Sequence, residues 1–434
     1  MDSTRAFGHI ASMSHVPEWK ALRLAERTTA LHSLLVAPNA AATSAHLSND
    51  IIDLTTEEIW SDLAPSARDG AISAINSRVN RYTEAIGLFD VRSALARRIS
   101  AETGQPWSAD EVAITNGGKQ AFFNAALALL NHGDEVLIPT PYWTSFPAQI
   151  VVAGGTPVFV DTRRSNYIPR LTDLAAAVTS RTKAIVVNTP HNPTGVVYDR
   201  DTLESIAQFA KDRDIWIIFD ECCGAFAHAP HIHHPLLAVA PGVRNRTLIV
   251  NSFSKSLALT GWRIGYLAAP RPVISAINAL QGHTTANVNV VAQHALLHYL
   301  ERGDLYFQAL LQRQVANARA LGLSILSSLT SVPQPPAQGG LYFYLDLTEL
   351  QRRANAHGHE LSADDVARVM LANAGVAIVS GTAFGDAAGI RLSYGGDLES
   401  LGKGLRRLSA TLNEISRNGL TDREWNWKGG QSNT

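Results

Sequence analysis

The sequence predicts an α/β protein: a mostly parallel sheet covered by helices on both faces, followed by a smaller α+β unit. Three observations carry this expectation. Short apolar runs of β-type residues recur through the middle of the 434-residue chain. Helical patterns lie between several of them. After about Gln281 the texture changes to long helical stretches with isolated strands. Strands that alternate with helices build a mostly parallel sheet, because each crossover helix packs back onto one face.

In chain order, residues 1–49 read as a mixed N-terminal arm, with a helix over Val16–Leu35 and a loop through VAPNAAATSAHLSND. Apolar runs follow at Val112–Thr115, Glu135–Ile138, Pro157–Val160, Ala184–Val187, Trp216–Phe219, Thr247–Val250 and Arg263–Ala268, which gives a seven-stranded sheet. Most are continuous rather than alternating and are bounded by Gly, Pro, Asn or Asp, as suits strands buried on both faces. Helices are expected over Lys119–Asn131, Arg170–Val178 and Asp201–Arg213. The last begins with the capping-box-like Asp201-Thr202-Leu203-Glu204. Ala292–Leu326 reads as one long helical stretch containing Gly303 and Gly322. Gly340–Leu345, Gly375–Val379 and Ile390–Tyr394 read as strands. Ile51–Leu54 can pair with this late unit. The expected division is therefore a small domain from 50–75 and 296–416, a large ligand-binding domain over 76–295, and a polar tail over 417–434.

Composition narrows the function. Hydrophobic residues make up 46% and charged residues 17%, which permits a sizeable core and excludes disorder as the main state. Lys and Arg number 37 against 38 Asp and Glu, a formal charge of −1 that argues against nucleic-acid or membrane-surface binding. The two cysteines, Cys222 and Cys223, are adjacent. They build neither a disulfide framework nor a multi-cysteine zinc site, and a bridge between neighbours would be strained. No apolar run reaches the roughly 20 residues of a membrane span, and the first residues lack the pattern of a secretory signal. A cytoplasmic enzyme without a metal is the expectation. His228, His231, His233 and His234 in AHAPHIHHP read as a surface loop.

In such sheets ligands sit beyond the carboxyl ends of the strands, and six segments there carry chemistry. Asn116-Gly117-Gly118-Lys119-Gln120 joins a strand to a helix. Its N–H groups and positive helix end suit a phosphate, although two glycines also make a plain tight turn. Trp143, just past DEVLIPT, can stack on a planar ring or serve the core. Asn188-Thr189-Pro190-His191-Asn192-Pro193-Thr194-Gly195 is a stiff turn that can present an amide to a ligand oxygen. Asp220 closes the apolar strand WIIF, where a carboxylate is costly unless a cation is buried with it or it caps a helix. Ser252-Phe253-Ser254-Lys255 follows TLIVN, with Arg263 close behind. A lysine shielded from water can form a Schiff base, and an arginine answers a phosphate. Arg391, within IRLSY, is an arginine in an apolar strand. It calls for a carboxylate or a structural ion pair.

Phosphate cradle, aromatic plate, amide, carboxylate, lysine and arginine fork are together the parts of a pyridoxal-phosphate site. On the stretches TNGGKQA, NTPHNPTG, SFSKSLALTGWRIGY and IRLSY, from about Ile51 to Leu412, the chain resembles the class I/II aminotransferases of fold type I. The resemblance implies pyridoxal 5′-phosphate as cofactor and Lys255 as the catalytic Schiff-base lysine. It implies that Asp220 pairs with the ring nitrogen, that Asn192 contacts the ring oxygen and that Trp143 stacks on the ring. Gly117, Gly118, Lys119, Ser252, Ser254 and Arg263 then surround the phosphate. Tyr82, in RYTEAIG, matches a tyrosine that reaches the partner subunit's phosphate, so a homodimer with shared sites is implied. Arg391 matches the arginine that holds the substrate α-carboxylate, with Asn192 and Trp143 also facing substrate. The Lys119 side chain is expected to point outward.

Two departures stand out. The family's D-E-x-Y is Asp220-Glu221-Cys222-Cys223 here, and a thiol is too short and too weak a donor to replace a phenol. Counting without gaps from Tyr82, the family's L-x-x-G-E-P reads Leu54-Thr55-Thr56-Glu57-Glu58-Ile59. Glu57 thus stands where a glycine lets backbone approach substrate. Its carboxylate either repels the substrate carboxylate or binds a cationic group. Transamination of an amino acid with a 2-oxo acid is the leading expectation. The alternatives are β/γ-elimination, replacement or annulation on an amino acid or adenosylmethionine-like substrate, and a non-enzymatic descendant that retains the fold.

Overall fold

The computed structural model describes residues 51–356 and 360–419, together with residue 25. Residue 25 apart, the helix expected over Val16–Leu35, the rest of the 1–49 arm and tail positions 420–434 lie outside the described residues. Among the described residues twelve strands run in chain order: β1 Ile52–Asp53, β2 Val112–Thr115, β3 Glu135–Thr140, β4 Thr156–Asp161, β5 Thr182–Asn188, β6 Trp216–Asp220, β7 Thr247–Ser252, β8 Gly265–Ala268, β9 Tyr342–Asp346, β10 Val376–Ala377, β11 Val379–Ser380 and β12 Gly389–Ser393.

Seven of them form one sheet in the order β2-β8-β7-β6-β5-β3-β4. Only β8 runs antiparallel to its neighbours, and the other pairings are parallel. Six carboxyl ends therefore share one edge. β8 starts at that same edge, with Gly265 in register beside Thr115 and Ser252.

The continuous apolar runs have a direct cause. Side chains alternate across a strand, and here each face meets its own core. Ile185, Val187, Ile217 and Phe219 enter one cluster, while Ala184, Val186 and Ile218 enter the other. Helix Arg200–Asp212 buries Leu203, Ile206 and Phe209 in the first. Helix Gly117–Leu129 buries Phe122, Ala125 and Leu129 in the second. Each fully buried aliphatic or aromatic side chain contributes about 1.5–3 kcal/mol.

Several expectations need correction. The last run of the sheet starts at Gly265, because Arg263 has φ 54°, in the left-handed region, and cannot continue an extended ladder. The cap of helix Arg200–Asp212 is Asp199, whose carboxylate accepts from the Thr202 N–H at 2.9 Å. Asp201 lies inside the first turn instead, and Glu204 pairs with Arg200 at 3.1 Å. Ala292–Leu326 is two helices, Val290–Arg302 and Leu305–Leu326. Gly303 ends the first at φ 70°, and Asp304 caps the second by accepting from Phe307 N–H at 3.2 Å. The 375–379 run splits into two strands that belong to different sheets: β10 pairs with β1, and β11 joins β12 and β9.

The histidine-rich segment is not a plain surface loop. His228 is buried, with Nε2 3.2 Å from the Tyr394 hydroxyl, and burial pushes it down to about 4. His233 sits 3.0 Å from the Glu221 carboxylate. No described helix is long and apolar enough to cross a membrane.

Candidate active site

The carboxyl ends of β2, β5, β6 and β7 open onto a cavity of about 690 Å³, closed on the far side by β9, β12 and the segment after β1. Gly118, Lys119, Trp143, Asn192, Asp220, Ser252, Ser254, Lys255 and Arg263 line it, and so do Glu57 and Arg391 from the other side. Gly117 lies just behind this wall against the Arg263 guanidinium. Tyr82 does not line the cavity and is 90% exposed.

One corner is built for an anion. Gly117, at φ 75°, turns the chain from β2 into its helix, so the first N–H groups and the positive helix end face the cavity. Arg263, held in the left-handed region, swings its guanidinium back over this turn. It donates to the Thr260 carbonyl at 2.9 Å and the Asn116 carbonyl at 3.3 Å. A Cβ on Gly117 would lie 2.7 Å from Arg263 Nη2, and one on Gly118 would lie 2.7 Å from Cys222 Sγ. Only glycine leaves this cradle open. The Lys119 side chain is exposed, as expected, with its ammonium 5.3 Å from the Trp143 ring centre.

Asp220 ends β6 at 6% exposure, accepting from the Cys222 N–H at 3.0 Å. Burial pushes its carboxyl up to about 6. Among the described residues no ion pair reaches it. Asn188, in register beside it on β5, donates to its carbonyl at 3.2 Å. Lys255 lies on a one-turn helix, Phe253–Ser256, directly after β7. Its ammonium donates to the Glu57 carbonyl and sits 3.9 Å from the Glu57 carboxylate.

The opposite wall is a polar network. Arg391, on β12, is buried between the rings of Tyr342 and Phe384, 4.9 and 4.8 Å from their centres. It donates to the Glu57 carboxylate, to Asn192 Oδ1 at 3.1 Å and to the Thr55 carbonyl at 3.1 Å. The Asn192 amide donates to Glu57 at 3.2 Å and to the Tyr342 hydroxyl at 3.4 Å. Burial alone would raise the Glu57 carboxyl. The Arg391 and Lys255 charges, with hydrogen bonds from Arg391 and Asn192, outweigh it and hold the group at about 2. Glu57 lines the cavity.

Sequence reasoning missed Tyr342, Phe384, Thr55 and the packing of Cys222 under Gly118. Aromatic residues in buried strands carry no signal that separates core from cavity wall. Asn188 did carry one, a polar residue closing an apolar strand, the same signal that marked Asp220. Both cysteines are free, and Cys223 is buried, its thiol pushed up to about 12 by burial. A phenol does reach this region, from Tyr342 on β9 rather than from position 223.

Comparison with known proteins gives the family. The family model for aminotransferase class I and II matches residues 49–408. An aspartate aminotransferase from Streptomyces avermitilis is 35% identical over 340 residues, covering 78% of this chain and 83% of its own. A probable aspartate/prephenate aminotransferase from Aquifex aeolicus is 33% identical over 369 residues, covering 84% and 92%. The structure of Thermus thermophilus aspartate aminotransferase with maleate matches with a TM-score of 0.81 at 32% identity, over 90% of this chain and 99% of that one. With the family model spanning most of its length, the chain belongs to the class I and II aminotransferases, a family that uses pyridoxal 5′-phosphate.

Proposed function

We propose that this aminotransferase seats pyridoxal 5′-phosphate in the 690 Å³ cavity and moves an amino group between an amino acid and a 2-oxo acid at a carbon held beside Lys255. The observation that carries the reading is the convergence on one cavity of a shielded lysine amine, a glycine–arginine anion corner and a buried carboxylate. The residues fit the group. The cradle at Gly117 and Gly118 is one that a Cβ would fill, and Asp220 is a carboxylate that calls for a cation.

In this reading the N–H groups of Gly118 and Lys119, the Ser252 and Ser254 hydroxyls and the Arg263 guanidinium hold the phosphate. Asp220 holds a proton at the ring nitrogen, Trp143 covers one ring face and Asn192 faces the ring oxygen. When bound, the cofactor supplies an aldehyde that captures amines and a ring that accepts the electron pair released at the neighbouring carbon. Lys255 binds the cofactor and afterwards moves the proton at the substrate carbon, which its shielded position favours. Tyr342 and Phe384 keep water from Arg391. Amino transfer is preferred to elimination, replacement or annulation because the relatives above are named as aminotransferases. Those names put aspartate first among donors to assay.

Tyr82 reaches the partner's phosphate in a homodimer. The exposure of Ile72, Ile75, Tyr82 and Phe89 within one short stretch supports a second copy covering this region. We also propose a small domain of 50–75 and 296–416 and a large one of 76–295, which the separateness of the sheets supports. Two free cysteines suit a reducing, cytoplasmic setting.

The test is Lys255→Ala. Borohydride reduction should fix the cofactor to Lys255 in the unaltered protein. The variant should keep its circular dichroism spectrum and lose both fixation and amino transfer. Full turnover by the variant would refute the assignment.

A further inference from the structure

The arginine fork expected to receive the substrate carboxylate is already engaged by the chain itself. Arg391 Nη1 donates to the Glu57 carboxylate and to Asn192 Oδ1 at 3.1 Å, while Nη2 donates to the Thr55 carbonyl at 3.1 Å. Nε is buried without a partner and so has no access to ligand space.

Glu57 is also held in place from behind. On one side the Leu54 N–H donates to the Ala377 carbonyl at 2.9 Å, and on the other the Trp60 N–H donates to the Gly395 carbonyl at 3.0 Å. Thr260 donates to the neighbouring Glu58 carboxylate at 3.0 Å. The Glu57 carboxylate further accepts from Asn192 at 3.2 Å. A group ionised across the physiological range, on a backbone fixed at both ends, is a standing part of the wall.

We infer that Glu57 is a specificity-determining residue: it occupies Arg391 in place of a substrate carboxylate, so the site favours amino donors whose amine-bearing carbon carries an uncharged group, such as an amide, ester or hydroxymethyl, over the free α-amino acid. The inference rests on the aminotransferase reading of the cavity and names its preferred substrate class. The cause is charge balance. Arg263 answers the phosphate, Asp220 answers the ring nitrogen, and the Arg391–Glu57 pair is neutral by itself. A second carboxylate on the same guanidinium would stand beside Glu57, and like charges at such close range repel. An uncharged amide or hydroxyl meets no such repulsion and can donate a hydrogen bond to Glu57.

The experiment compares the pyridoxal-phosphate-loaded protein with its Glu57→Gln and Glu57→Gly variants. The first readout is kcat/KM for phenylalanine against phenylalaninamide, and for aspartate against its α-amide. The unaltered protein should prefer the amides. Both variants should shift the ratio toward the free acids by about tenfold or more, chiefly through KM, the scale of removing one like-charge contact at a buried site. The second readout needs no turnover: maleate binding by calorimetry should tighten by about tenfold in both variants. Unchanged ratios and unchanged maleate affinity in whichever variant folds would overturn the inference, as would a preference for free acids in the unaltered protein that the variants do not increase. Failure of the aminotransferase reading looks different. The unaltered protein would then show neither borohydride fixation at Lys255 nor transfer to any acceptor, and the maleate measurement would still decide whether Glu57 guards Arg391.

Discussion

Asp220→Asn separates the cost of a buried carboxylate from its use. Asp220 is 6% exposed, and burial raises its carboxyl from the ordinary 3.8 to about 6. A folded-state value above the unfolded one means that its contribution to stability is full below 3.8 and is lost as pH rises through about 6. A rise from 3.8 to about 6 corresponds to roughly 3 kcal/mol. About half of that loss falls above pH 5, so on the order of 1 kcal/mol separates pH 5 from pH 8. Asparagine carries no charge and keeps an oxygen to accept the Cys222 N–H, which lies 3.0 Å from the carboxylate. In urea unfolding of the cofactor-free protein, the variant should therefore be the more stable at pH 8, and its advantage should shrink by on the order of 1 kcal/mol at pH 5. With pyridoxal phosphate the order should reverse, because an amide offers no counter-charge to a protonated ring nitrogen. A variant whose stability relative to the unaltered protein is the same at both pH values, or whose cofactor affinity is unchanged, would refute this account of Asp220.

Two further substitutions test the packing that shapes the site. Gly118→Ala places a methyl group 2.7 Å from Cys222 Sγ, at the entrance of the anion corner. Cofactor affinity should fall by about tenfold, and a second change, Cys222→Ala, should restore much of it by removing the colliding sulfur. No rescue in a fluorescence titration would mean that the glycine acts otherwise. Gly322→Ala, in helix Leu305–Leu326, drives a methyl group into the Phe343 ring of β9. It should cost about 1–3 kcal/mol, seen as a lower thermal midpoint. An unchanged midpoint would show that the helix shifts freely.

The sheet was legible because its chemistry is local. Strands buried on both faces need apolar residues at every position, so Val112–Thr115 and Trp216–Phe219 announce themselves without knowledge of their neighbours. Polar residues that close such strands, Asp220 among them, are costly unless used, and that made the cavity edge readable. Errors arose where hydrophobic texture was read and punctuation was not. Gly303-Asp304 is a helix stop followed by a helix cap, yet the apolar pattern runs across it. Asp199 and Asp201 are equivalent in composition, and only backbone geometry decides which one caps.

From its order of residues alone, the chain determined a two-sided sheet, the edge onto which the cavity opens, and the lysine, carboxylate and arginine set along that edge. What folding alone decided is which of those groups face one another. Arg391 and Glu57 stand 334 positions apart and Asn192 and Tyr342 stand 150 apart, yet each pair shares a hydrogen bond. Such partnerships leave no periodicity in a sequence. They arise when β12 and the segment after β1 are carried by their own sheets to the mouth of the larger one, where a buried guanidinium must find a counter-charge and Glu57 is the carboxylate that arrives.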